Sequence, residues 1–149
     1  MEQQLNHQAW FESHSKRLHM WREFRNSLDT KNITEVCSTV VQWWQSAPLV
    51  NRSIDPVNSE QWPTPWEMLH QGDFCEDSLA LGMSYTIFYA NSNIPNELIY
   101  VTCKDRSFQR LCALIDNKHL LNFDHGCIST LPGDDCTVGY RTKIINIIK

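Results

Sequence analysis

A chain of 149 residues has the size of a single domain that can bury an ordinary hydrophobic core. Apolar residues make up 42% of it and charged residues 20%, a balance typical of a globular protein and not of a disordered one. The formal net charge of −4 leaves no basic stripe, so we expect no nucleic-acid binding. No run of about 18 apolar residues occurs, which excludes a membrane-spanning helix.

The first third of the chain predicts helices with an aromatic face. Residues 1 to 30 repeat apolar side chains at spacings of three and four, which indicates one amphipathic helix or two short ones: Trp10, Phe11, Leu18, Trp21, Phe24 and Leu28. A second helix begins in "DTKNITEVCSTVVQWWQSA", with Asn32 or Thr34 as its N-cap and Pro48 ending it. Because Trp43 and Trp44 are adjacent, we expect one ring to point inward and the other to be partly exposed.

Residues 46 to 66 form a proline-rich connector. Their four prolines exclude a regular helix or a central strand. We expect an ordered, extended segment and not a domain boundary, because Trp62 and Trp66 would be costly to leave in water.

A central helix is predicted over residues 73 to 91. Asp73 and Glu76 have capping-box spacing, which places Cys75 in the first turn. Gly82 lies inside this helix, where glycine costs about 1 kcal/mol relative to alanine. We therefore expect Gly82 to mark close packing of the helix against a sheet.

The last third of the chain predicts strands. "ELIYVTC" is β-branched and aromatic, "RLCALID" and "HLLNFD" form a hairpin around residues 116 to 118, and "TVGYRTKIINIIK" supplies a last strand. Helices that precede strands indicate an α+β fold with an antiparallel sheet. We expect one domain over residues 1 to 149, with an N-terminal helical part at 1 to 46 and a core at 47 to 149.

The cysteine count does not by itself predict disulfides. The first 16 residues lack a basic stretch followed by an apolar one, so we expect no export, a cytoplasmic location and reduced thiols. A group that could hold zinc occurs near the C-terminus: His125, Cys127, Asp134, Asp135 and Cys136. It has no C-x-x-C pair, and the chain has no Gly-rich phosphate loop, so we expect no metal and no cofactor.

The segments "WPTPWEMLHQGDFCED" and "NIPNELIYVTCKD" resemble the bacterial transglutaminase-like cysteine peptidases of the papain/transglutaminase superfamily. The resemblance covers roughly residues 47 to 128. The matched positions are Trp62, Thr64, Pro65, Glu67, Cys75, Glu76, Asp77, Ile94, Pro95 and Leu98 to Val101. It implies a papain/transglutaminase-like core in which N-terminal helices and a central helix pack on a small antiparallel sheet. It also implies that Cys75 is a nucleophile, with a histidine base and an orienting acid or amide on the sheet.

The chemistry of helix termini agrees with this resemblance. Free N–H groups and the positive end of the helix dipole stabilise an anion at the start of a helix. A thiol in that position ionises more readily, and the same N–H groups can stabilise an oxyanion. Cys75 therefore occupies a position that suits a nucleophile.

The expected triad lacks its base. Asp124 fits the orienting acid, but the family's histidine falls near Gln109 or Arg110, and neither side chain can accept and return a proton near neutral pH. His125 is the best substitute, ahead of His119 and of His70 before the cysteine loop. Since neighbouring residues on a strand point to opposite faces, Asp124 and His125 could not both face Cys75 without a bulge or turn. Phe74 also replaces an aspartate of the family pattern.

Two functions follow from these observations. The favoured one is a catalytically degraded domain that serves as a binding or structural component, with a protein partner or a larger assembly. The alternative is an active cysteine hydrolase or amide-bond transferase that uses Cys75 with a displaced histidine. The small size and the tryptophan-rich motif also resemble tailed-phage proteins, which would place the chain in a virion instead of the cytoplasm.

Overall fold

The computed structural model describes residues 9–51, 53–104 and 107–148. Within these ranges the helices are α1 (His14–Asn26), α2 (Ile33–Trp44), α3 (Pro65–Gln71) and α4 (Glu76–Ala90). The strands are β1 (Asn96–Cys103), β2 (Phe108–Ile115), β3 (His119–Leu121), β4 (Ile128–Ser129) and β5 (Cys136–Lys143). Short 3-10 turns lie at Ser59–Gln61 and Ile144–Asn146. No helix in the described ranges is long and apolar enough to cross a bilayer.

The strands form one antiparallel sheet in the order β4-β3-β2-β1-β5. The predicted hairpin is confirmed, since β2 pairs with β3 and Ile115 lies opposite His119. Asp116 and Asn117 form its turn at φ values of 57° and 60°. Asp and Asn are the residues besides glycine that most readily adopt this left-handed conformation. The α+β class with an antiparallel sheet is thereby confirmed.

Helix α4 is central, because its residues from Ser78 to Ile87 are buried on all sides. A helix that is apolar all round needs neighbours on every face. One face of the sheet supplies side chains to this main core, among them Leu98, Leu111, Ala113 and Ile115. The opposite face forms a second cluster: Ile99, Val101, Cys103, Cys112, Leu114, Leu120 and Phe123.

The N-terminal helices are joined to α4 by tryptophans. The indole Nε1 groups of Trp21 and Trp44 both donate to Thr86 Oγ1, at 2.9 and 3.0 Å. Trp43 and Trp44 are 2% and 1% exposed, so the prediction that one of these rings would be partly exposed is wrong. Both are buried because Trp44 packs against α4 through Thr86, while Trp43 stacks on Phe24 of α1 at 5.0 Å. Trp62 is buried as predicted, but Trp66 remains half-exposed.

Two predictions about the central helix need correction. The helix begins at Glu76 and not at residue 73, because Phe74 is held in extended backbone by a bridge to Leu49. Gly82 packs against a helix and not against the sheet: a Cβ at Gly82 would lie 2.6 Å from Cη2 of Trp44 in α2.

The expectation of six reduced thiols is wrong for one pair. Cys103 and Cys136 lie directly opposite each other on β1 and β5 and form a disulfide. Their spacing in the sequence could not predict this pairing, since it depends on the register of β5 against β1. Among the other cysteines, Cys37 and Cys112 are buried, Cys75 is half-buried and Cys127 is exposed.

Candidate functional site

The backbone before Cys75 is fixed from two sides. Gly72 ends α3 with a φ of 76°, and its N–H donates to Met68 O. Phe74 N–H then donates to Pro48 O at 3.0 Å, while Phe74 O accepts from Val50 N–H at 2.8 Å. The Phe74 ring is buried at 5.3 Å from Trp44. The residue that departs from the family pattern therefore anchors the cysteine loop in the aromatic core.

Cys75 is the N-cap residue of α4. The buried Ser78 hydroxyl accepts from Cys75 N–H and donates to Cys75 O, both at 2.9 Å. The thiol is half-buried and lines a cavity of about 200 Å³ together with Ser53, Ile54, Pro63, Met68, Asp73 and Ser78. Cys75, predicted to lie in the first turn, is therefore the residue just before it, and the cavity leaves its thiol accessible.

Arg110 is the β2 side chain that reaches the start of α4. Its Nη2 lies 3.1 Å from Glu76 Oε2, and its Cζ lies 4.7 Å from the centre of the Phe108 ring. The next residue, Leu111, donates its N–H to Asp77 Oδ1 at 2.9 Å. These contacts hold the two residues after Cys75 against β2, and the side chain at this point is a permanent cation that cannot serve as a base.

Asn122 completes the contact between α4 and the sheet. Its Nδ2 donates to Glu76 O at 2.8 Å and to Leu111 O at 3.0 Å. The sequence analysis missed this residue. A signal was present in "HLLNF", where a polar residue that tolerates left-handed backbone directly follows apolar strand residues.

Asp124 and His125, the predicted partners of Cys75, lie after the end of β3. Asp124 is half-buried and accepts from Ser129 Oγ at 3.2 Å. His125 is exposed in the following turn and forms no hydrogen bond or ion pair with another described residue. The roles of Asp124 and His125 in catalysis therefore remain predictions from the sequence.

The other two histidines are placed as follows. His119 lies opposite Ile115. The four steps from Leu111 to Ile115 span roughly 13 Å along β2, which puts His119 far from the start of α4. The exposed His70 ring contacts the ring of His14 at 4.4 Å. In the described part of the chain, no hydrogen bond joins a histidine to the Cys75 thiol.

Burial changes the ionisation of several groups around the site. It raises the pKa of Asp77, an effect partly offset by the Leu111 N–H and by the Arg110 charge. Burial also raises the pKa of Cys37 and of Cys112 to about 12, so both thiols stay protonated near neutral pH. Among the free cysteines, Cys75 and Cys127 are therefore the two that a reagent can reach.

The residues considered as zinc ligands in the sequence analysis do not form a metal-binding group. Cys136 is bonded to Cys103, and no three His, Cys, Asp or Glu side chains in residues 9–51, 53–104 and 107–148 form a group that could hold a metal ion.

Comparison of the sequence with known protein families gives no match, and comparison with characterised proteins gives none either. Among solved structures, calcium-bound LapG of Legionella pneumophila is similar with a TM-score of 0.72 and 14% identity, over 96% of this chain and 83% of that one. EGTA-treated LapG of the same organism is similar with a TM-score of 0.69 and 14% identity, over 93% of this chain and 80% of that one. LapG has the transglutaminase-like, or papain-like, fold. This chain has a papain/transglutaminase-like core. At such low identity the similarity concerns the fold alone.

Proposed function

We propose that this chain is a transglutaminase-like domain without catalytic activity that acts as a binding or structural component. The pairing of Arg110 with Glu76 carries the proposal. A cysteine nucleophile needs a neighbouring base, and the strand that faces the start of α4 presents a guanidinium at this point. The LapG-like fold supports a domain of the transglutaminase-like cysteine-protease type, and the proposal concerns the loss of its chemistry.

The surroundings of Arg110 leave little freedom for a base to enter. Leu111 N–H is bonded to Asp77, and the Asn122 amide bridges Glu76 O and Leu111 O. These bonds close the gap between α4 and the ends of β2 and β3. The cavity next to Cys75 is lined by residues such as Ser53 and Pro63 from the segment before the helix.

One exposed tryptophan, packed on less exposed aromatic rings, supports a binding role. Trp66 is 44% exposed, and its ring packs on Trp21 and Tyr89 at 5.5 Å. Arg25 lies over the Trp21 ring at 4.2 Å. Tryptophan, tyrosine and arginine are enriched at the centres of protein interfaces. A protein partner or larger assembly is therefore part of the proposal, and a location in the cytoplasm or in a phage virion remains a prediction from the sequence.

Thiol alkylation tests the loss of catalysis. In wild-type protein treated with iodoacetamide at pH 6, we expect Cys75 to react no faster than Cys127. Cys37 and Cys112 provide internal controls for folding, since both are buried. The Cys127→Ser variant removes the competing thiol and gives the Cys75 rate alone. A Cys75 rate tenfold above that of Cys127 would show a poised thiolate and contradict the proposal.

Elution of the native protein tests the binding role. We expect it to elute from a size-exclusion column within an assembly larger than the 17.4 kDa chain. A monomer that retains no partner would count against this part of the proposal.

The alternative, an active cysteine hydrolase, is favoured by one observation: the half-buried Cys75 thiol lines a cavity at a helix start. His125 would then act as the base after a rearrangement of its turn. Hydrolysis of p-nitrophenyl acetate by wild type, Cys75→Ser and His125→Ala distinguishes the two functions. The alternative requires a rate above background that both variants abolish, whereas the proposal expects the three proteins to behave alike.

A further inference from the structure

Asn122 has an unusual backbone conformation for a buried residue. Its φ is 70°, in the left-handed region, and its side chain is only 6% exposed. Residues other than glycine are held in this region where the surrounding structure leaves them no alternative, and such positions cluster at functional sites. Asparagine is one of the few side chains that tolerate the region.

The Asn122 amide connects three elements at a single point. Both of its bonds end on backbone carbonyls, one on Glu76 at the first residue of α4 and one on Leu111 in β2. Asn122 itself follows the last residue of β3. Since Glu76 is covalently bonded to Cys75, the amide acts directly beside the residue that carries the thiol.

The neighbouring contacts are less able to hold this position alone. The Arg110–Glu76 ion pair involves a Glu76 side chain that is 62% exposed, and exposed pairs contribute little. The Asp77 bond to Leu111 N–H lies one residue further along the helix. Asn122 is the group that bonds the backbone of Glu76 itself.

We propose that Asn122 is a positioning residue that fixes the start of α4 and thereby restricts the reactivity of the Cys75 thiol. The inference rests on the proposed function in treating Cys75 as the chemical centre of the site. Without the amide, the first turn of α4 opens more often and exposes the thiol to solvent.

Two variants separate the amide from the backbone conformation. Asn122→Gly removes the amide and keeps a residue that adopts positive φ freely. Asn122→Asp keeps the size but cannot donate to the two carbonyls when ionised. Asn96→Ala is the matched control, because Asn96 is a buried amide whose two hydrogen bonds both go to Ser84, away from the start of α4.

The measurement is the ratio of the Cys75 and Cys127 alkylation rates in the same molecule at pH 8, read by mass spectrometry. We expect the ratio to rise about tenfold in Asn122→Gly and Asn122→Asp, because one buried and one partly buried hydrogen bond are lost, and to stay unchanged in Asn96→Ala. An unchanged ratio in the Asn122 variants would overturn the inference. So would a parallel rise at Cys37 and Cys112, since that would indicate global unfolding.

The assay also keeps the two proposals apart. Alkylation by iodoacetamide needs no catalytic base, so it reports on Asn122 whether or not the chain hydrolyses a substrate. Failure of the proposed function would appear as p-nitrophenyl acetate hydrolysis that depends on His125. Failure of the present inference would appear as a rate ratio that does not respond to residue 122.

Discussion

Substitution of Gly82 by alanine tests how tightly α2 is packed against α4. In an exposed helix the change would stabilise the protein by about 1 kcal/mol, because alanine is the better helix former. At this position the new Cβ would lie 2.6 Å from Cη2 and 2.7 Å from Cζ3 of Trp44. Ordinary contact would require the ring to move by about 1 Å, since carbon atoms pack best at roughly 3.5–4.0 Å.

The Trp44 ring has little room for such a movement. It is buried against Trp10, Trp43 and Phe74 at centroid distances of 5.2–5.3 Å, and its Nε1 donates to Thr86 Oγ1. Overpacking of this kind costs about 1–3 kcal/mol, and a weakened buried hydrogen bond adds about 1 kcal/mol. After subtraction of the gain in helix propensity, we expect Gly82→Ala to lower the free energy of unfolding by about 1–3 kcal/mol.

Urea unfolding followed by far-UV circular dichroism measures this change. The double variant Trp44→Leu/Gly82→Ala is the control, because the smaller side chain makes room for the methyl group. In the Trp44→Leu background, Gly82→Ala should be neutral or stabilise by up to about 1 kcal/mol. If Gly82→Ala stabilised the wild type by the same amount, the Trp44 ring would not be held where we describe it, and the reasoning would fail.

Three further predictions concern the sheet and its contact with α4. The Cys103–Cys136 disulfide closes a loop with a sequence separation of 33, so its reduction should lower the free energy of unfolding by about 4 kcal/mol through the entropy gained by the unfolded chain. Urea unfolding with and without dithiothreitol measures this change, and equal stabilities would contradict the prediction. Burial raises the pKa of Asp77 above its value in the unfolded chain. The protonated carboxyl therefore stabilises the folded state fully at a pH below the unfolded pKa, and this stabilisation is lost as the pH rises through the folded pKa. The stability of wild type relative to Asp77→Asn should therefore fall between pH 3 and pH 7, and a constant difference would refute this. Arg110→Ala should cost at most about 1 kcal/mol in thermal unfolding, since its partner Glu76 is largely exposed; a loss of several kcal/mol would show that the pair is structural.

The local predictions were confirmed where a few neighbouring residues decide the outcome. The Asn32 side chain accepts from Glu35 N–H at 2.9 Å as the N-cap of α2. The Asp116–Asn117 turn connects β2 and β3 because both residues adopt positive φ. Predictions that required a partner from another element were wrong, as for the exposure of Trp43 or Trp44 and for the surface that contacts Gly82.

The candidate site shows the same division. Cys75 could be placed close to a helix start from its own neighbourhood, although the capping box joins Cys75 and Ser78 and not the predicted Asp73 and Glu76. Arg110 could be recognised as a replacement for a histidine only through the family resemblance. Its pairing with Glu76 joins residues 34 positions apart, which no local pattern specifies.

The sequence analysis missed α3 (Pro65–Gln71), because a proline is tolerated at the first position of a helix. The sequence by itself did determine that helices precede strands, the α+β class and the position of Cys75 close to the start of a helix. These features follow from hydrophobic periodicity, turn residues and capping, which act over short stretches of chain. Only the tertiary structure decided that Cys103 pairs with Cys136 and that Asn122 reaches Glu76 across 46 residues. Such contacts depend on strand register and on the packing of α4 against the sheet, because shifting a strand by one residue turns every side chain to the other face.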